Sequence, residues 1–256
     1  TDTQPPTPLD NVDDEYMYFR DMQAAKRIAS ADIQYAIPRH NWTTGTIYDY
    51  YRGDYGAQWS STASDIVKTV NLGTNLWAST TLFYVLSSTN NVYKCMSNNG
   101  GVASTVEPSG TSNAEYSTGD GYVWKYMYSL TTTQITDFLT ADFMPVATNA
   151  TVAAAAVLIN GAVTQYKVMR GGSGYTNGPY TNQTLRGDGS GATFNLTVSG
   201  GAVTAVTGVA GGTGYTFADC NVDNISLIGT PSTSAIVTPI IGPKGGQGFN
   251  AINELG

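Results

Sequence analysis

The 256 residues carry a formal net charge of −7, an apolar share of 41% and only 12% charged side chains, about half the usual charged share of roughly 25%. That balance supplies enough apolar surface for one large all-β domain or two domains, and it lacks the basic footprint of a nucleic-acid partner. His40 is the only histidine, which argues against zinc sites and Ser-His-Asp triads, and no apolar run reaches the roughly eighteen residues of a membrane helix.

Glycine (29) and tyrosine (17), with many threonines and serines, fill the place of the missing charges. This mixture suits β-sheets with tight turns, whose weakly charged surfaces can be covered by neighbours in an assembly. Cys95 and Cys220 match no metal or redox spacing. One such pair is no disulfide framework, so a reducing compartment is expected. The chain begins at Thr1 without Met or signal peptide and stops at Leu255-Gly256, so it reads as the ordered part of a longer protein.

Residues 1–13, with Pro5, Pro6, Pro8 and three acids, read as an extended arm. Asp14 is placed to cap a helix. Tyr16, Phe19, Met22, Ala25 and Ile28 or Ala29 then recur at helical spacing up to about Ser30, which predicts a short amphipathic helix packed on a core. Pro38 forces extended chain on Ile37. Tyr48–Tyr55 surrounds Arg52-Gly53-Asp54, a triplet found in integrin ligands that reads here as a simple turn.

Leu82–Leu86 and Val92–Met96 are apolar strands joined by the hairpin loop Ser87–Asn91. The polar stretch Ser97–Thr118 should lie on the surface. From Tyr122 to Tyr128 the side chains alternate: Tyr122, Trp124, Tyr126 and Tyr128 on one side, Val123, Lys125 and Met127 on the other. A period of two with aromatics on one face predicts a strand lying on a core. Thr131 and Gln134 have capping-box spacing, predicting a short helix over Gln134–Leu139.

Composition shifts at Thr148, and from there to about Ile241 the chain repeats itself. Asn160-Gly161-Ala162-Val163-Thr164 recurs as Gly200-Gly201-Ala202-Val203-Thr204, and Gly171-Gly172-Ser173-Gly174-Tyr175-Thr176 recurs as Gly211-Gly212-Thr213-Gly214-Tyr215-Thr216, each pair 40 residues apart. This reads as a duplicated unit. Each copy should form a tight hairpin, one from Val157-Leu158-Ile159 to Ala162-Val163 and one from Leu196–Ser199 to Ala202-Val203, because Asn-Gly and Gly-Gly accept the positive φ angles of a type I′ turn. The fold class expected is mainly β: a β-sandwich host domain with short helices over 1–147, a duplicated β-rich insert over 148–241, and a return segment over 242–256.

Several signals imitate chemistry. The glycine runs lack the Gly-Lys-Ser/Thr of a phosphate loop. Gly119-Asp120-Gly121 and Gly187-Asp188-Gly189 each offer a single carboxylate, whereas calcium needs six or more oxygen ligands. Glu107 and Glu115 sit in a polar loop without an aromatic cleft, so a glycosidase pair is not supported. The sequon Asn195-Leu196-Thr197 has no signal peptide to support its use. No catalytic, cofactor-binding or metal-ligating residue is assigned, and an enzyme is not expected.

The ordered series Ile37-Pro38-Arg39-His40-Asn41-Trp42, Val92-Tyr93-Lys94-Cys95, Val106-Glu107-Pro108, Gly119-Asp120-Gly121-Tyr122-Val123-Trp124-Lys125-Tyr126 and Pro145 resembles the baseplate wedge proteins of T-even-type contractile-tailed bacteriophages. Within that group it is similar to the β-sandwich subunit that binds as a pair in each wedge, especially versions from cyanophages. The likeness covers roughly residues 16–146, and Gly242–Gly246 with Asn253–Gly256 resembles that family's return segment. The 148–241 stretch departs from the short enterobacterial form.

The resemblance implies a virion protein of the tail baseplate, assembled in the bacterial host, that acts without catalysis. Its implied partners are itself, other wedge subunits and a short tail fibre, with no nucleic acid and no membrane insertion. The alternative is a tail-fibre or capsid-decoration module that binds host surface glycan. Expected contact surfaces are the Ser97–Thr118 loop, the N-terminal arm and the outer face of the insert.

Overall fold

The computed structural model of the chain describes residues 12–22, 24, 27–51, 58–62, 65–69, 82–156 and 160–256. It separates into a small unit, Thr1–Gln34, and a large one, Tyr35–Gly256. The chain is mainly β, with several sheets and few helices.

In the small unit, helix α1 spans Val12–Asp21. It begins two residues before the expected Asp14 cap and ends well short of Ser30. Tyr16 and Phe19 are 71% and 70% exposed, and Met22 and Ile28 are exposed too, which corrects the expectation of a core-packed face. A unit this short cannot enclose a core of its own.

The large unit carries fifteen strands among the described residues. In its first part these are β1 Ala36–Pro38, β2 Gln58–Thr62, β3 Asp65–Thr69, β4 Tyr84–Leu86, β5 Asn91–Ser97, β6 Tyr116–Ser117, β7 Val123–Ser129 and β8 Phe143–Pro145. Strands β4, β5, β7 and β6 form an antiparallel sheet in the order β4-β5-β7-β6. The β4–β5 turn closes through Ser87 N donating to Asn91 O (2.9 Å). Asn90 takes the left-handed conformation at φ 60°, which asparagine tolerates better than most residues.

Both faces of this sheet are buried. Tyr84, Leu86, Val92, Met127 and Tyr128 belong to one apolar cluster. Val85, Tyr93, Cys95, Tyr122, Trp124 and Tyr126 belong to the other. The alternation read from the sequence therefore holds through Tyr126 and fails at Tyr128. A register shift sets Val92 opposite Tyr128 but Tyr93 opposite Tyr126; the extra residue is Met127, and a bulge of this kind re-aims the side chains beyond it. Tyr122 stacks on Trp124, ring centroids 5.6 Å apart, and Tyr48 meets Trp124 edge-on at 5.7 Å. Such arrangements suit the ring quadrupoles.

Strand β1 pairs with β8. Beyond it, Leu86 N donates to His40 O and Trp42 N donates to Leu86 O, so the 40–42 segment runs along β4. Helix α2, Thr132–Phe138, starts two residues earlier than expected but uses the predicted cap: Thr131 Oγ1 accepts from Gln134 N, and Gln134 Oε1 accepts from Thr131 N. The short helix α3, Ala150–Ala155, is capped by Asn149 and buries Val152 in the aromatic cluster.

The remaining strands are β9 Val163–Arg170, β10 Gly178–Thr184, β11 Arg186–Gly187, β12 Ser190–Ser199, β13 Ala202–Thr213, β14 Ala218–Asp219 and β15 Ile236–Ile241. They pair as β10-β12-β13, β15-β9 and β11-β14. The Gly200-Gly201 hairpin forms as read, with Ser199 opposite Ala202 and both glycines at positive φ. In the earlier hairpin, Val157-Leu158-Ile159 lies outside the described residues.

Each glycine run bonds to the turn of the other stretch. Tyr175 N donates to Gly201 O (3.0 Å), and Tyr215 N donates to Gly161 O (3.2 Å). A Cβ on Gly171 would meet Val203 O at 2.6 Å, and one on Gly211 would meet Val163 O at 2.9 Å. Glycine is required at both by backbone approach. Tyr175 and Tyr215 are buried in apolar clusters around Phe194 and Ala192. Helix α4, Ala251–Leu255, then returns to the first sheet, where Ala251 and Leu255 join the cluster of Tyr84 and Tyr128.

Candidate interaction surface

The loop that joins β5 to β6 is exposed over most of its length, yet its backbone is pinned. Asp120 gathers it: the carboxylate accepts from Ser104 Oγ (2.9 Å), Thr105 N (2.8 Å), Val106 N (3.0 Å), Thr118 Oγ1 (2.5 Å) and Tyr122 N (3.3 Å). Partial burial pulls the Asp120 carboxyl up, but the hydrogen bonds from Thr118, Val106, Thr105 and Ser104 outweigh it and hold the group well below the usual carboxylate range.

A second tie comes from the sheet. The buried Tyr122 hydroxyl accepts from Tyr48 N (3.3 Å) and donates to Val102 O (2.5 Å), bridging two loops with one phenol. Burial pushes that phenol's pKa up. Gly45 N donates to Ser104 O and Ser104 N to Thr46 O, so the two loops are also laced through their backbones. Ile47, Val102 and Val106 stand on this braced platform, exposed by 58%, 55% and 40%. The backbone of these loops is hydrogen-bonded before any contact, so covering the exposed apolar side chains would carry little ordering cost.

Behind the sheet lies a charged cluster without solvent. Lys94 on β5 donates to the Glu254 carboxylate and to Gln247 Oε1, and its ammonium lies 4.7 Å from the Tyr51 ring centroid. The Lys94 and Glu254 side chains are 0% and 2% exposed. Glu254 also accepts from Gly248 N (3.0 Å) and Asn250 N (3.1 Å). Burial lowers the Lys94 pKa while Glu254 opposes that shift, and burial, then the Glu254 charge, pushes the Tyr51 phenol up to about 12. Lys125 on β7 is buried nearby and donates to Asn113 O (2.5 Å).

Next to this cluster is a cavity of about 330 Å³, lined by Glu115, Lys125, Ala155, Ala156, Gly212 and Gln247 among others. It joins the first sheet to the glycine-rich strands. Its lining comes from six separate stretches of chain, so no local sequence pattern marks it.

The residues singled out from the sequence have structural employment. Glu107 accepts from Ser88 N (2.6 Å) and Ser88 Oγ (2.9 Å), pinning the β4–β5 turn. Glu115 is exposed and borders the cavity. Asp188 accepts from Thr216 N, Thr216 Oγ1 and Phe217 N, bracing the second glycine-tyrosine run. Cys95 and Cys220 are buried free thiols. Burial lowers the His40 pKa, and its ring leans on Tyr84 at 5.0 Å. Arg52-Gly53-Asp54 and the arm up to residue 11 lie outside the described residues. Among the described residues, no group of three or more His, Cys, Asp or Glu is placed to hold a metal.

The fold defines a mainly β protein whose hydrogen-bonded loops carry the exposed apolar residues Ile47, Val102 and Val106. Comparison with protein-family models, with curated proteins and with solved structures finds no match.

Proposed function

We propose that this chain is a structural virion protein, a subunit of the baseplate wedge of a contractile phage tail, working through contacts with a second copy of itself and with other wedge subunits. The observation that carries this reading is the braced platform of Ile47, Val102 and Val106: Asp120 and Tyr122 anchor the loops that hold these side chains in water. A surface braced before contact changes little on binding, as preorganised interfaces do. The ordered motifs from Ile37 to Pro145 support the same assignment, and a low share of charged residues suits a part enclosed by protein.

Within this reading the host region is a β-sandwich and the 148–241 stretch is a duplicated insert. Supporting the duplication, the hydrogen bonds of Tyr175 to Gly201 and of Tyr215 to Gly161 mirror one another, each glycine-tyrosine run closing on the turn of the other half.

Electron microscopy of intact particles tests the proposal. Density for this chain at the tail tip is the expected result. Its absence from assembled particles, or turnover of a substrate by the purified chain, overturns it.

A further inference from the structure

We propose that the chain cross-links itself: Lys94 Nζ attacks the side-chain amide carbon of Gln247, Glu254 carries the protons, and an isopeptide bond forms with release of ammonia. The step occurs once in each folded chain and turns over no substrate. It does not depend on the wedge assignment.

Three groups meet at one point. Lys94 Nζ donates to Gln247 Oε1 (2.5 Å) and to the Glu254 carboxylate. Because an ammonium only donates, the oxygen of the Gln247 amide must face it. A carbonyl bond of about 1.2 Å then puts the Gln247 Cδ within about 3.7 Å of Nζ, close to the roughly 3–3.5 Å of a near-attack geometry. The two residues stand 153 apart in the chain, and the fold holds both. Lys94 lies in the middle of β5. The turn that carries Gln247 is tied by Gly245 N to Asn160 Oδ1 (3.0 Å), Gly246 N to Pro243 O (2.9 Å) and Gly248 N to Glu254 (3.0 Å). Held in contact, amine and amide react at an effective concentration far above any in solution.

The surroundings favour the bond over the ion pair that precedes it. Lys94, Gln247 and Glu254 are all buried. Burial lowers the Lys94 pKa, which favours the neutral, nucleophilic amine, and a carboxylate stands beside it to take the proton. Gln247 Nε2 is buried without a hydrogen-bond partner. Its departure therefore breaks no hydrogen bond and removes an unsatisfied buried donor. Exclusion of water then protects the product from hydrolysis.

Atoms and charge balance without an outside reagent. Glu254 takes one proton from the Lys94 ammonium, and the Nζ lone pair forms the new bond to Cδ. The Cδ–Nε2 bond breaks with its electron pair on nitrogen, which takes a second proton from Nζ by way of Glu254 and leaves as ammonia. A neutral secondary amide and a neutral Glu254 carboxylic acid replace the buried ion pair, and nothing is oxidised or reduced.

Intact-mass measurement of the folded, purified full chain tests this. The expected mass lies below that of the sequence by one ammonia, and trypsin should release a branched peptide joining the Lys94 segment to the one that begins at Gly245. Gln247→Met keeps the ion pair but offers no carbonyl, and Glu254→Gln removes the proton carrier; both should keep the full mass of their sequence. The wild-type mass and its branched peptide decide the matter whether or not either variant folds. A full sequence mass in the wild type, ammonia loss that persists in either variant, or loss of water, which marks a Lys94–Glu254 amide, overturns the proposal.

Discussion

Lys94 and Glu254 meet as a buried ion pair across 160 residues of chain. Lys94 lies in the middle of β5 and Glu254 in the last helix, so the pair fastens the return segment to the first sheet. Two backbone amides, of Gly248 and Asn250, complete the carboxylate's shell. The arrangement is a charged lock inside an apolar wall.

Breaking one half of such a lock strands the other. Lys94→Met is expected to cost about 3–5 kcal/mol, because an uncompensated carboxylate remains buried. Adding Glu254→Gln should recover a large part of that loss. Urea unfolding of the two single variants and the double variant measures the coupling, and purely additive losses would refute it.

Asp120 predicts an acid-side dependence. Its folded-state pKa is depressed, so its contribution is complete above the unfolded value of about 3.9 and is lost as pH falls through the folded value. Asp120→Asn should unfold more readily at neutral pH and show a shallower loss of stability between about pH 5 and pH 2. Thermal melts across that range check the slope.

Two glycines separate conformational strain from collision. Gly200 and Gly212 have φ angles of 62° and 63°, but a Cβ at Gly200 meets nothing within 4 Å whereas one at Gly212 meets Ala192 N and Ser190 O at 2.5 Å. Gly200→Ala should cost about 1–2 kcal/mol from the left-handed backbone alone. Gly212→Ala should cost about 3 kcal/mol or more, since the clash falls on backbone atoms and adds overpacking to the strain. Denaturant midpoints of the pair decide this.

The platform separates stability from assembly. Ile47→Asp with Val102→Asp should leave the unfolding midpoint nearly unchanged, within about 0.5 kcal/mol per site, as exposed substitutions do, yet prevent incorporation into particles. Tyr122→Phe should do the opposite in part, costing about 1–3 kcal/mol by leaving Tyr48 N and Val102 O without their shared hydroxyl. Melting curves combined with a particle-incorporation assay distinguish the two.

Much of this architecture was written in short stretches of residues. The Tyr122–Tyr126 alternation, the hairpin turn at Asn90, the Thr131 cap and the Gly200-Gly201 turn depend on side-chain direction and on φ, ψ preferences, which operate within a few neighbours. What only the tertiary structure decided was burial of charge and the faces that neighbours cover. Nothing local marks Lys94 as interior, because its partners Gln247 and Glu254 stand 153 and 160 residues away. The bulge that turns Tyr128 to the opposite cluster depends on register with β5, and the exposure of Tyr16 and Phe19 belies their helical spacing. The platform of Ile47, Val102 and Val106 likewise exists only once Tyr122 and Asp120 draw distant loops together. Backbone preference is a property of adjacent residues; desolvation depends on whatever the folded chain brings alongside.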